Sequence, residues 1–498
     1  MDLSLYSNTN KWKKRSMNHR NYRTPLLFTS AIFLFCMVFF IFSKVLFSTP
    51  TPVFQNSESI FHARCTSFTA SGEKFLFYAP HSGFSNQLSE FKNAVLMAAI
   101  LNRTLIIPPI LDHHAVALGS CPKFRVLSPN EMRFQVWNHS IQLIREHRYI
   151  SMADVIDLSS VTSISTVTFI DFRVFVSIWC EVNFNLICSE DLSSHSSLND
   201  KLHQCGSFLS GYYSDMNKCL YASPEDCRTT VWTYQSNHKD GILDSFQADD
   251  ELRKKKKISF VRKRKDVYKA FGPGSAAGQA TVLAFGSLFT APYKGSESHI
   301  DIHKTTKDQR IQWLIQKIEY LPFVPEILNA GKNFAHATIK APFFCVQLRL
   351  LDGQFKYHQK ATFLGVKQVL GSLIQKSLLP IHLFVMTDLP VHNWTGSYLG
   401  ELAKDFDDFK LFFLREEDEL VAQTAKEVLH SRHSMKFQFA GSNFDVKEEL
   451  CNVVSLPDVL LFLEETVCSC ATLGFFGTSG STIGESIESM RKNNICSL

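Results

Sequence analysis

The 498-residue chain lacks the short motifs that mark several large classes of enzyme. It has no P-loop, no G-x-S-x-G nucleophile turn and no H-E-x-x-H helix, so the sequence does not support a P-loop nucleotide hydrolase, an α/β-hydrolase or a zinc metalloprotease. None of its cysteines forms a C-x-x-C pair, and Cys468-Ser-Cys470 is spaced too tightly for a usual zinc pair. Any catalytic site must therefore be sought in other patterns.

Net positive charge is limited to two short segments. Residues 1–24 and the run at 253–265 together carry more positive charge than the formal net charge of +5, so the rest of the chain is acidic. This distribution does not indicate a nucleic-acid partner. We interpret the run at 253–265 as a solvated loop, with contact to an acidic acceptor or an anionic glycan as the alternative.

A long uncharged stretch lies near the start of the chain. Residues 25–43 contain no charged side chain, and Val45–Phe47 extends them to a length that suits a bilayer. Basic residues before the stretch place residues 1–24 in the cytosol. We therefore predict a signal-anchor transmembrane helix at 25–47 and a stem at 48–71; a cleaved signal peptide is the alternative.

Cysteines and glycosylation motifs agree with this topology. All cysteines except Cys36 follow the predicted span, and an even number of thiols in an oxidising lumen predicts disulfides, although their connectivity cannot be deduced. Three N-glycosylation acceptors lie on the same side, at Asn102, Asn138 and Asn393.

Residues 75–109 predict a strand, a tight loop, a helix and a second strand. Residues 75–78 and 105–107 are short apolar runs, and between them Leu88, Phe91, Val95, Ala98 and Leu101 recur at helical spacing. Such a unit directs its loop and helix N-terminus to one edge of a parallel sheet.

That loop is a candidate binding site for a phosphate or a polar substrate oxygen. Gly83 lets a ligand approach the backbone closely, and the amides of Asn86 and Gln87 both donate and accept hydrogen bonds. Most strand-loop-helix turns bind nothing, so the pattern alone does not decide the function.

The remaining chain predicts two α/β lobes, at 72–335 and 336–498. In the first we expect irregular insertions at 180–227 and 237–278, a strand at 281–285 and one helix at 306–328. The second alternates more regularly. Its predicted strands are 343–348, 382–386, 410–414 and 475–476, and its predicted helices are 362–373, 398–406, 417–429, 457–470 and 483–491. This alternation predicts a parallel, doubly wound sheet.

Three segments, in the same order along the chain, carry a family resemblance. The first is G-x-x-N-Q at 83–87, followed by LNRTLIIPP at 101–109. The second, FFCVQLRLLD at 343–352, is similar to an H-x-R motif with a following acid. The third, FFGTSGSTIGESIESMR at 475–491, is similar to an F-I-G-x-x-x-S-[ST]-F run before a final helix. Together they resemble the protein O-fucosyltransferase family and its plant branch.

The resemblance implies a GT-B-like architecture, in which two doubly wound lobes face each other across a cleft. The lobe at 72–335 would bind the acceptor and the lobe at 336–498 the nucleotide sugar. It also implies a Golgi membrane protein, single-pass type II, with a lumenal catalytic domain; the endoplasmic reticulum is the alternative.

The resemblance also assigns donor-binding residues. Arg349 ends an apolar strand, where a guanidinium can grip a diphosphate and stabilise the charge of a leaving nucleotide; a structural pair with Asp352 is the alternative. Ser481 and Thr482 lie at a helix start that suits phosphate binding or simple N-capping.

The resemblance also implies a residue that binds the base. Glu465 matches an acid of the family that is thought to accept hydrogen bonds from guanine, and the neighbouring Glu464 is the alternative for this position. Gln347 departs from the family, which has His there, and Gln cannot change charge near neutral pH.

Other catalytic roles are less defined. His81 and Asp352 are the two candidates for the general base that deprotonates the acceptor. Asp405-Phe-Asp407 is formally a D-x-D, the pattern of metal-dependent glycosyltransferases, but its run KDFDDFK is typical of a solvated turn.

These observations predict an inverting, metal-independent glycosyltransferase without a cofactor. It would move fucose from GDP-fucose to a hydroxyl of a protein Ser/Thr or a cell-wall glycan. Two alternatives remain: a transferase for another deoxysugar such as rhamnose from a UDP donor, and a glycan-binding or assembly protein that has lost catalysis.

Overall fold

The computed structural model describes residues 72–113, 116, 127–163, 167–182, 195–212, 219–225, 230–232, 260–262, 264–288, 309–351, 355–375, 379–437, 456 and 458–496. All of these fall in one structural unit. The predicted tail, anchor and stem lie outside them, as does most of the basic run at 253–265. Within the described ranges, no helix combines the length and apolarity that a bilayer crossing requires.

Eleven strands are present among these residues. In chain order they are β1 (Phe75–Phe77), β2 (Thr104–Ile107), β3 (Phe169–Asp171), β4 (Leu220–Ala222), β5 (Thr230–Trp232), β6 (Phe260–Arg262), β7 (Val282–Ala284), β8 (Phe343–Leu348), β9 (Ile381–Thr387), β10 (Phe409–Phe412) and β11 (Gly474–Gly477). The first sheet has the order β3-β2-β1-β7-β4 and the second β10-β9-β8-β11, while β5 and β6 form a separate pair. All pairings are parallel, which confirms the predicted α/β class with parallel sheets.

Helices connect these strands. The α-helices are α1 (Phe84–Leu101), α2 (Pro129–Arg145), α3 (Met152–Val155), α4 (Ser159–Thr162), α5 (Phe172–Cys180), α6 (His195–Ser210), α7 (Arg264–Phe271), α8 (Ala276–Gln279), α9 (Gln309–Glu319), α10 (Pro325–Asn333), α11 (Gln359–Ile374), α12 (Tyr398–Leu402), α13 (Glu419–Ser431), α14 (Val459–Ser469) and α15 (Thr482–Lys492). A π-helix at Phe334–Ile339 continues α10, and 3₁₀ turns lie at Phe355–Tyr357, Val391–Asn393 and His433–Lys436.

Helix α1 forms where its apolar period predicts. All five of the residues recurring at helical spacing are buried, because that face packs in the core of the first sheet. The helix ends at Asn102, which adopts the left-handed conformation that commonly closes a helix (φ 51°). The predicted strand-loop-helix-strand unit at 75–109 is therefore confirmed.

Two predictions for the first lobe are wrong, and one strand was missed. The helix expected at 306–328 is two helices, α9 and α10, because Pro322 and Pro325 lack the N–H that would continue the backbone ladder. Strand β4 pairs with β7 inside the segment at 180–227 that we expected to be an irregular insertion. Strand β3 was not predicted. Both strands have three residues, too few to show a periodicity.

The second sheet agrees more closely with the sequence. Strand β8 has the predicted bounds, and the other strands and helices differ from prediction by a few residues at their ends. The largest difference is α12, which ends at Leu402 rather than at 406. Strand β8 occupies the interior of the sheet between β9 and β11, and all six of its residues are buried.

The two halves of the unit are joined by buried polar contacts. The backbone N–H of Ser434 donates to Asp154 Oδ1 at 2.8 Å, and Arg173 Nη2 donates to Ser434 Oγ at 2.8 Å. Arg173 is itself paired with Asp171 at 2.8 Å, next to the ring of Tyr149. Since these groups are buried, the 3₁₀ turn at His433–Lys436 is fixed against the first half.

Candidate functional site

The carboxyl edge of the second sheet brings together most of the residues predicted to hold the donor. Gln347 lies near the end of β8, Arg349 directly follows it, and Gln347 pairs with Gly477 at the end of β11. The turn after β11 leads into α15. Because the strands are parallel, these ends meet at one edge, the edge at which α/β sheets bind ligands.

Arg349 presents a partly exposed cation at this edge. Its Nε lies 4.0 Å from Asp388 Oδ2, and its guanidinium carbon lies 5.5 Å from the centre of the Phe355 ring. The side chain is 17% exposed. Its backbone N–H donates to Thr478 Oγ1 at 3.0 Å, so the residue is anchored to the turn after β11. A guanidinium held in this way can meet an anionic ligand.

Asp388 is a functional candidate that the sequence reasoning missed. Its two carboxylate oxygens accept backbone N–H groups of Leu350 and Leu351, at 2.7 and 3.1 Å. It therefore fixes the loop that follows Arg349 and also faces the guanidinium. The sequence feature that could have identified Asp388 is its position as an acid just after the predicted strand at 382–386.

Gln347, which replaces the family His, ties β8 to the turn after β11. Its side-chain Oε1 accepts the backbone N–H of Thr478 at 3.3 Å. The Gln347 carbonyl accepts both the Thr478 N–H and the Thr478 hydroxyl, at 3.0 and 3.1 Å. Gln347 is 1% exposed, and both of its carbonyl oxygens accept hydrogen bonds from within the protein.

Ser481 and Thr482 stand at the start of α15. Ser481 is the N-cap: its hydroxyl accepts from the N–H of Gly484 at 3.5 Å, as the N-capping interpretation predicted. Thr482 is the first helical residue and is half-buried. The positive end of this eleven-residue helix lies beside the ends of β8 and β11.

Glu465 lies on α14 and faces the same final helix. Ser486 Oγ donates to Glu465 Oε2 at 2.6 Å, while Glu465 Oε1 has no hydrogen-bond partner among the described residues. Burial raises the pKa of Glu465 to about 8, so the carboxyl is mostly neutral at pH 7. Glu464 is also buried, and burial and the charge of Glu465 raise its pKa well above the usual range. Glu465, not Glu464, makes the contact with α15.

The predicted residues of the first lobe lie at the carboxyl edge of the first sheet. Asn86 Nδ2 donates to Ser82 Oγ at 3.0 Å. The buried Gln87 amide donates to the carbonyls of Ser82 and Leu111, at 2.8 and 2.9 Å, and accepts the Leu111 N–H at 2.9 Å. Gln87 therefore clamps the loop after β1 to the loop after β2. Gly83 begins α1 without a side-chain cap.

Of the two predicted general bases, His81 lies among the described residues. The His81 side chain is fully buried and its Nδ1 lies 2.7 Å from Glu90 Oε1. Glu90 also accepts from Ser287 Oγ and the Leu288 N–H, at 2.8 and 3.1 Å. His81 therefore helps to hold the loop after β1 in the core. Asp352 lies outside the described residues.

The D-x-D sequence forms the solvated turn that its composition predicted. Asp405 Oδ1 accepts the backbone N–H of Asp408 at 3.2 Å, and Asp407 is exposed. In the part of the chain that the structure describes, no group of three or more His, Cys, Asp or Glu residues is placed to hold a metal ion.

Disulfides frame the candidate donor site. Cys345 of β8 is bonded to Cys468 of α14, and Cys470 is bonded to Cys496. Cys219 is also disulfide-bonded. The prediction that cysteines form disulfides is therefore confirmed at these positions. The two cysteines of the tight Cys468-Ser-Cys470 pair are bonded to different partners.

Ring contacts connect the two carboxyl edges. Phe84, the first residue of α1, lies 4.5 Å from the ring of Phe462 on α14 and 6.2 Å from Phe323. Helices α14 and α15 contact each other, and α15 contacts α1. The start of α1 thus lies next to the helix that carries Glu465.

Two comparisons by sequence identify the family of the chain. The family model described as GDP-fucose protein O-fucosyltransferase matches residues 75–374. A protein of Arabidopsis thaliana named O-fucosyltransferase 30 is 59% identical over 432 residues, which cover 86% of this chain and 85% of the relative. The resemblance drawn from three segments is confirmed, and with it the prediction of a glycosyltransferase of the fucosyltransferase class.

Solved structures add a weaker similarity. Crystal structures of POFUT1 in complex with GDP-fucose and with GDP align over 84% of this chain. The GDP-fucose complex of crystal form I is 12% identical with a TM-score of 0.37, covering 94% of that chain. The GDP complex of crystal form III is 12% identical with a TM-score of 0.36, covering 96% of that chain. Similarity at this level supports no conclusion about the site. The sequence matches, in contrast, show that the chain belongs to the GDP-fucose protein O-fucosyltransferase family.

Proposed function

We propose that the chain transfers fucose from GDP-fucose to an acceptor hydroxyl, with inversion at the anomeric carbon and without a metal ion. The observation that supports this most strongly is the junction of Arg349 with the start of α15 at the carboxyl edge of the second sheet. Family membership supports the donor. A protein Ser/Thr or a cell-wall glycan serves as the acceptor.

The geometry explains how the diphosphate would be held. As the bond between fucose and the β-phosphate breaks, negative charge builds on the phosphate oxygens. Arg349 supplies a fixed positive charge, and the N-terminus of α15 supplies backbone N–H groups and the positive end of a dipole. Asp388 and Thr478 orient Arg349 from two sides, so little rearrangement is needed when the charge develops.

A donor screen tests the reaction. The full-length protein should consume GDP-fucose in preference to UDP-rhamnose and other nucleotide sugars when each is followed by mass spectrometry. Activity should survive a strong chelator, because Arg349 and α15 oppose the leaving-group charge. The double variant Asp405→Ala, Asp407→Ala should be as active as wild type, since both residues lie in a solvated turn.

The screen also separates the alternatives. Preference for UDP-rhamnose would replace the donor, and binding of GDP without any turnover would indicate a glycan-binding protein. Loss of activity on chelation, restored by manganese, would contradict metal independence.

The Glu465 carboxyl is proposed to read guanine, and its high pKa gives this role a pH dependence. Guanine N1–H and its amino group both donate, so they need the ionised carboxylate as acceptor. With a pKa of about 8, the ionised fraction grows as the pH rises. GDP affinity should therefore increase about tenfold between roughly pH 6.5 and 8, as measured by calorimetry.

Glu465→Gln is the matched variant for that measurement. It keeps the shape but presents an amide donor, a mismatch that costs about 1–3 kcal/mol. GDP binding should weaken roughly tenfold and lose its pH dependence, while UDP binding changes little. Equal GDP binding by both proteins would remove Glu465 from the base-binding site.

We also propose a single-pass type II protein of the Golgi membrane with a lumenal catalytic domain. The support is the apolar stretch at 25–47, which contains no charged residue before Lys44, with its basic flank, together with disulfides in the catalytic part. The endoplasmic reticulum is the alternative compartment.

Glycan removal tests this topology. Asn102 and Asn393 are exposed, whereas Asn138 lies within α2 and Ser140 of its motif is buried, donating to the Val136 carbonyl. We expect a mobility shift on enzymatic deglycosylation of protein expressed in plant cells. Asn102→Gln with Asn393→Gln should abolish most of it, and Asn138→Gln should leave it nearly unchanged. No shift in wild type, with the catalytic part open to protease from the cytosol, would refute the topology.

A further inference from the structure

A cavity lies at the amino edge of the first sheet. Its volume is about 470 Å³, which falls within the roughly 300–1,000 Å³ usual for sites that bind small molecules. Two of its lining residues, Thr104 and Phe169, are the first residues of β2 and β3. Since β1, β2 and β3 are parallel, the loop that carries Gly83 and the start of α1 lie at the opposite edge. The cavity is therefore separate from the candidate site described above.

Both halves of the unit form the walls of this cavity. Residues between 153 and 162 line it from the first half, and residues of the 3₁₀ turn at 433–436 line it from the second, together with Phe437. The backbone N–H of Asp157 donates to a carbonyl in the turn before α10 at 2.9 Å, and the Phe437 carbonyl accepts the N–H of Asp171 at 3.0 Å. The two walls are thus held by hydrogen bonds of their own, and the cavity is preformed, as ligand sites usually are.

The buried part of the lining is mostly apolar. It includes the side chains of Ile156, Leu158, Val167 and Phe169. The ring of Phe437 packs edge-on against Phe169, with the ring centres 5.8 Å apart. A surface of this kind favours a ligand that has a face of C–H groups, because contact with it removes apolar area from water.

The exposed part of the lining carries hydroxyls and charges of both signs. Asp157 Oδ1 accepts the N–H of Ser159 at 2.9 Å, and its Oδ2 accepts no hydrogen bond from the residues that the structure describes. Thr162 donates its hydroxyl to the Ser159 carbonyl at 3.1 Å, so its oxygen can still accept. Lys436 is exposed and adds a positively charged donor. The rim therefore offers acceptors and donors together.

This combination of surfaces selects the class of ligand. A phosphate or a nucleotide would be attracted by Lys436 but repelled by Asp157 of the same rim. A wholly apolar ligand would remove the Asp157 carboxyl from water without giving it a hydrogen bond. A sugar ring carries C–H groups on its faces and hydroxyls around its edge, and each hydroxyl both donates and accepts. It matches the apolar interior and the polar rim at once.

We propose that this cavity is a second carbohydrate-binding site, which takes a neutral mono- or disaccharide unit of a glycan. The proposal goes beyond the proposed function, because it concerns a site at the other edge of the first sheet and does not depend on the donor. A glycan held there is bound by both halves of the unit, away from the point of transfer. The site thus contributes to affinity for an extended glycan and not to the chemistry.

Calorimetry on the full-length protein tests the proposal. The neutral probes are cellobiose, xylobiose, mannobiose and lactose, and the anionic probes are inorganic phosphate and glucuronic acid. We expect at least one neutral disaccharide to bind, with the same Kd whether or not GDP is present, and neither anion to bind. The disaccharide that binds should also raise the temperature of thermal unfolding, since it binds the folded state.

Two variants locate the binding. Ser159→Trp fills the cavity from an exposed position on α4 and should abolish disaccharide binding. Asp157→Ala removes a charged acceptor and should weaken binding about tenfold or more. Ser372→Trp, the same change at an exposed serine on α11 outside the lining, is the matched control and should bind as wild type does. Thermal unfolding without ligand checks that each variant is folded.

Three results would overturn the proposal. One is the absence of binding by every neutral disaccharide, and another is tighter binding of phosphate or glucuronic acid. The third is equal disaccharide binding by wild type and Ser159→Trp, which would place the sugar elsewhere on the protein. None of these measurements involves fucose transfer, so failure of the donor screen would refute the proposed function and leave this site to be judged by its own results.

Discussion

Replacing Arg349 by alanine is expected to lower turnover about a hundred- to a thousandfold, which corresponds to roughly 2.7–4 kcal/mol of transition-state stabilisation. The reason is that, in the proposed function, the guanidinium faces the charge of the leaving diphosphate, with Asp388 beside it and the Arg349 backbone held by Thr478. Turnover should be measured with GDP-fucose at saturating donor. Thermal unfolding should stay near the wild-type temperature, because the side chain is partly exposed.

Two further variants sharpen the Arg349 experiment. Arg349→Lys should rescue only part of the activity, since an ammonium cannot reproduce the planar fork. Arg415→Ala is the matched control: its guanidinium also lies over an aromatic ring, 5.0 Å from the centre of Phe413, but it is exposed and follows β10, which β9 separates from β8. It should retain wild-type turnover. Near-normal activity in Arg349→Ala would remove Arg349 from the mechanism.

Arg103→Met is expected to reduce the free energy of unfolding by about 1–3 kcal/mol, the cost of leaving a buried carbonyl without a donor. Arg103 is 3% exposed, and burial lowers its pKa to about 10. Its guanidinium donates to the carbonyls of Ala280, Ala277, Phe75 and Thr281, at 3.0, 2.6, 3.2 and 3.3 Å. It thereby fastens β1 to the start of β7. The urea midpoint of the full-length protein measures the loss.

Arg145→Met is the control for Arg103. Arg145 is exposed in the last turn of α2, and surface changes of this kind usually stay within about 0.5 kcal/mol. Arg103→Lys should fall between the two, because one ammonium cannot reach all four carbonyls. If Arg103→Met and Arg145→Met unfold at the same urea concentration, the carbonyl contacts of Arg103 do not stabilise the fold.

The sequence predicted those features that depend on residues close together in the chain. The apolar period of α1 and the uninterrupted apolar run of β8 are local, and both elements appear where expected. The N-cap at Ser481 is local as well. In contrast, β3 and β4 have three residues each and form because β2 and β7 offer them strand edges that are distant in the sequence. The break at Pro322 was readable, but the apolar spacing on both sides of it suggested a single helix.

The site was harder to predict for the same reason. Asp388 acts on the backbone of Leu350, 38 positions away, and no motif surrounds it. Gln87 looked like a ligand-binding amide, but its three polar contacts go to Ser82 and Leu111 instead. A sequence shows which hydrogen-bonding groups a side chain carries. How many of those groups are already bonded within the protein depends on contacts that form only on folding.

The strand order of the second sheet also determines which fragments of the chain can fold by themselves. The family match ends at residue 374, yet β8, which lies before that point, is flanked by β9 and β11, which both come after it. Cys345 likewise finds its partner 123 positions later. A fragment cut at the boundary of the match would keep Arg349 but lose both neighbouring strands, the disulfide and the start of α15. The segment that matches the family model is therefore shorter than the segment that has to fold as one piece.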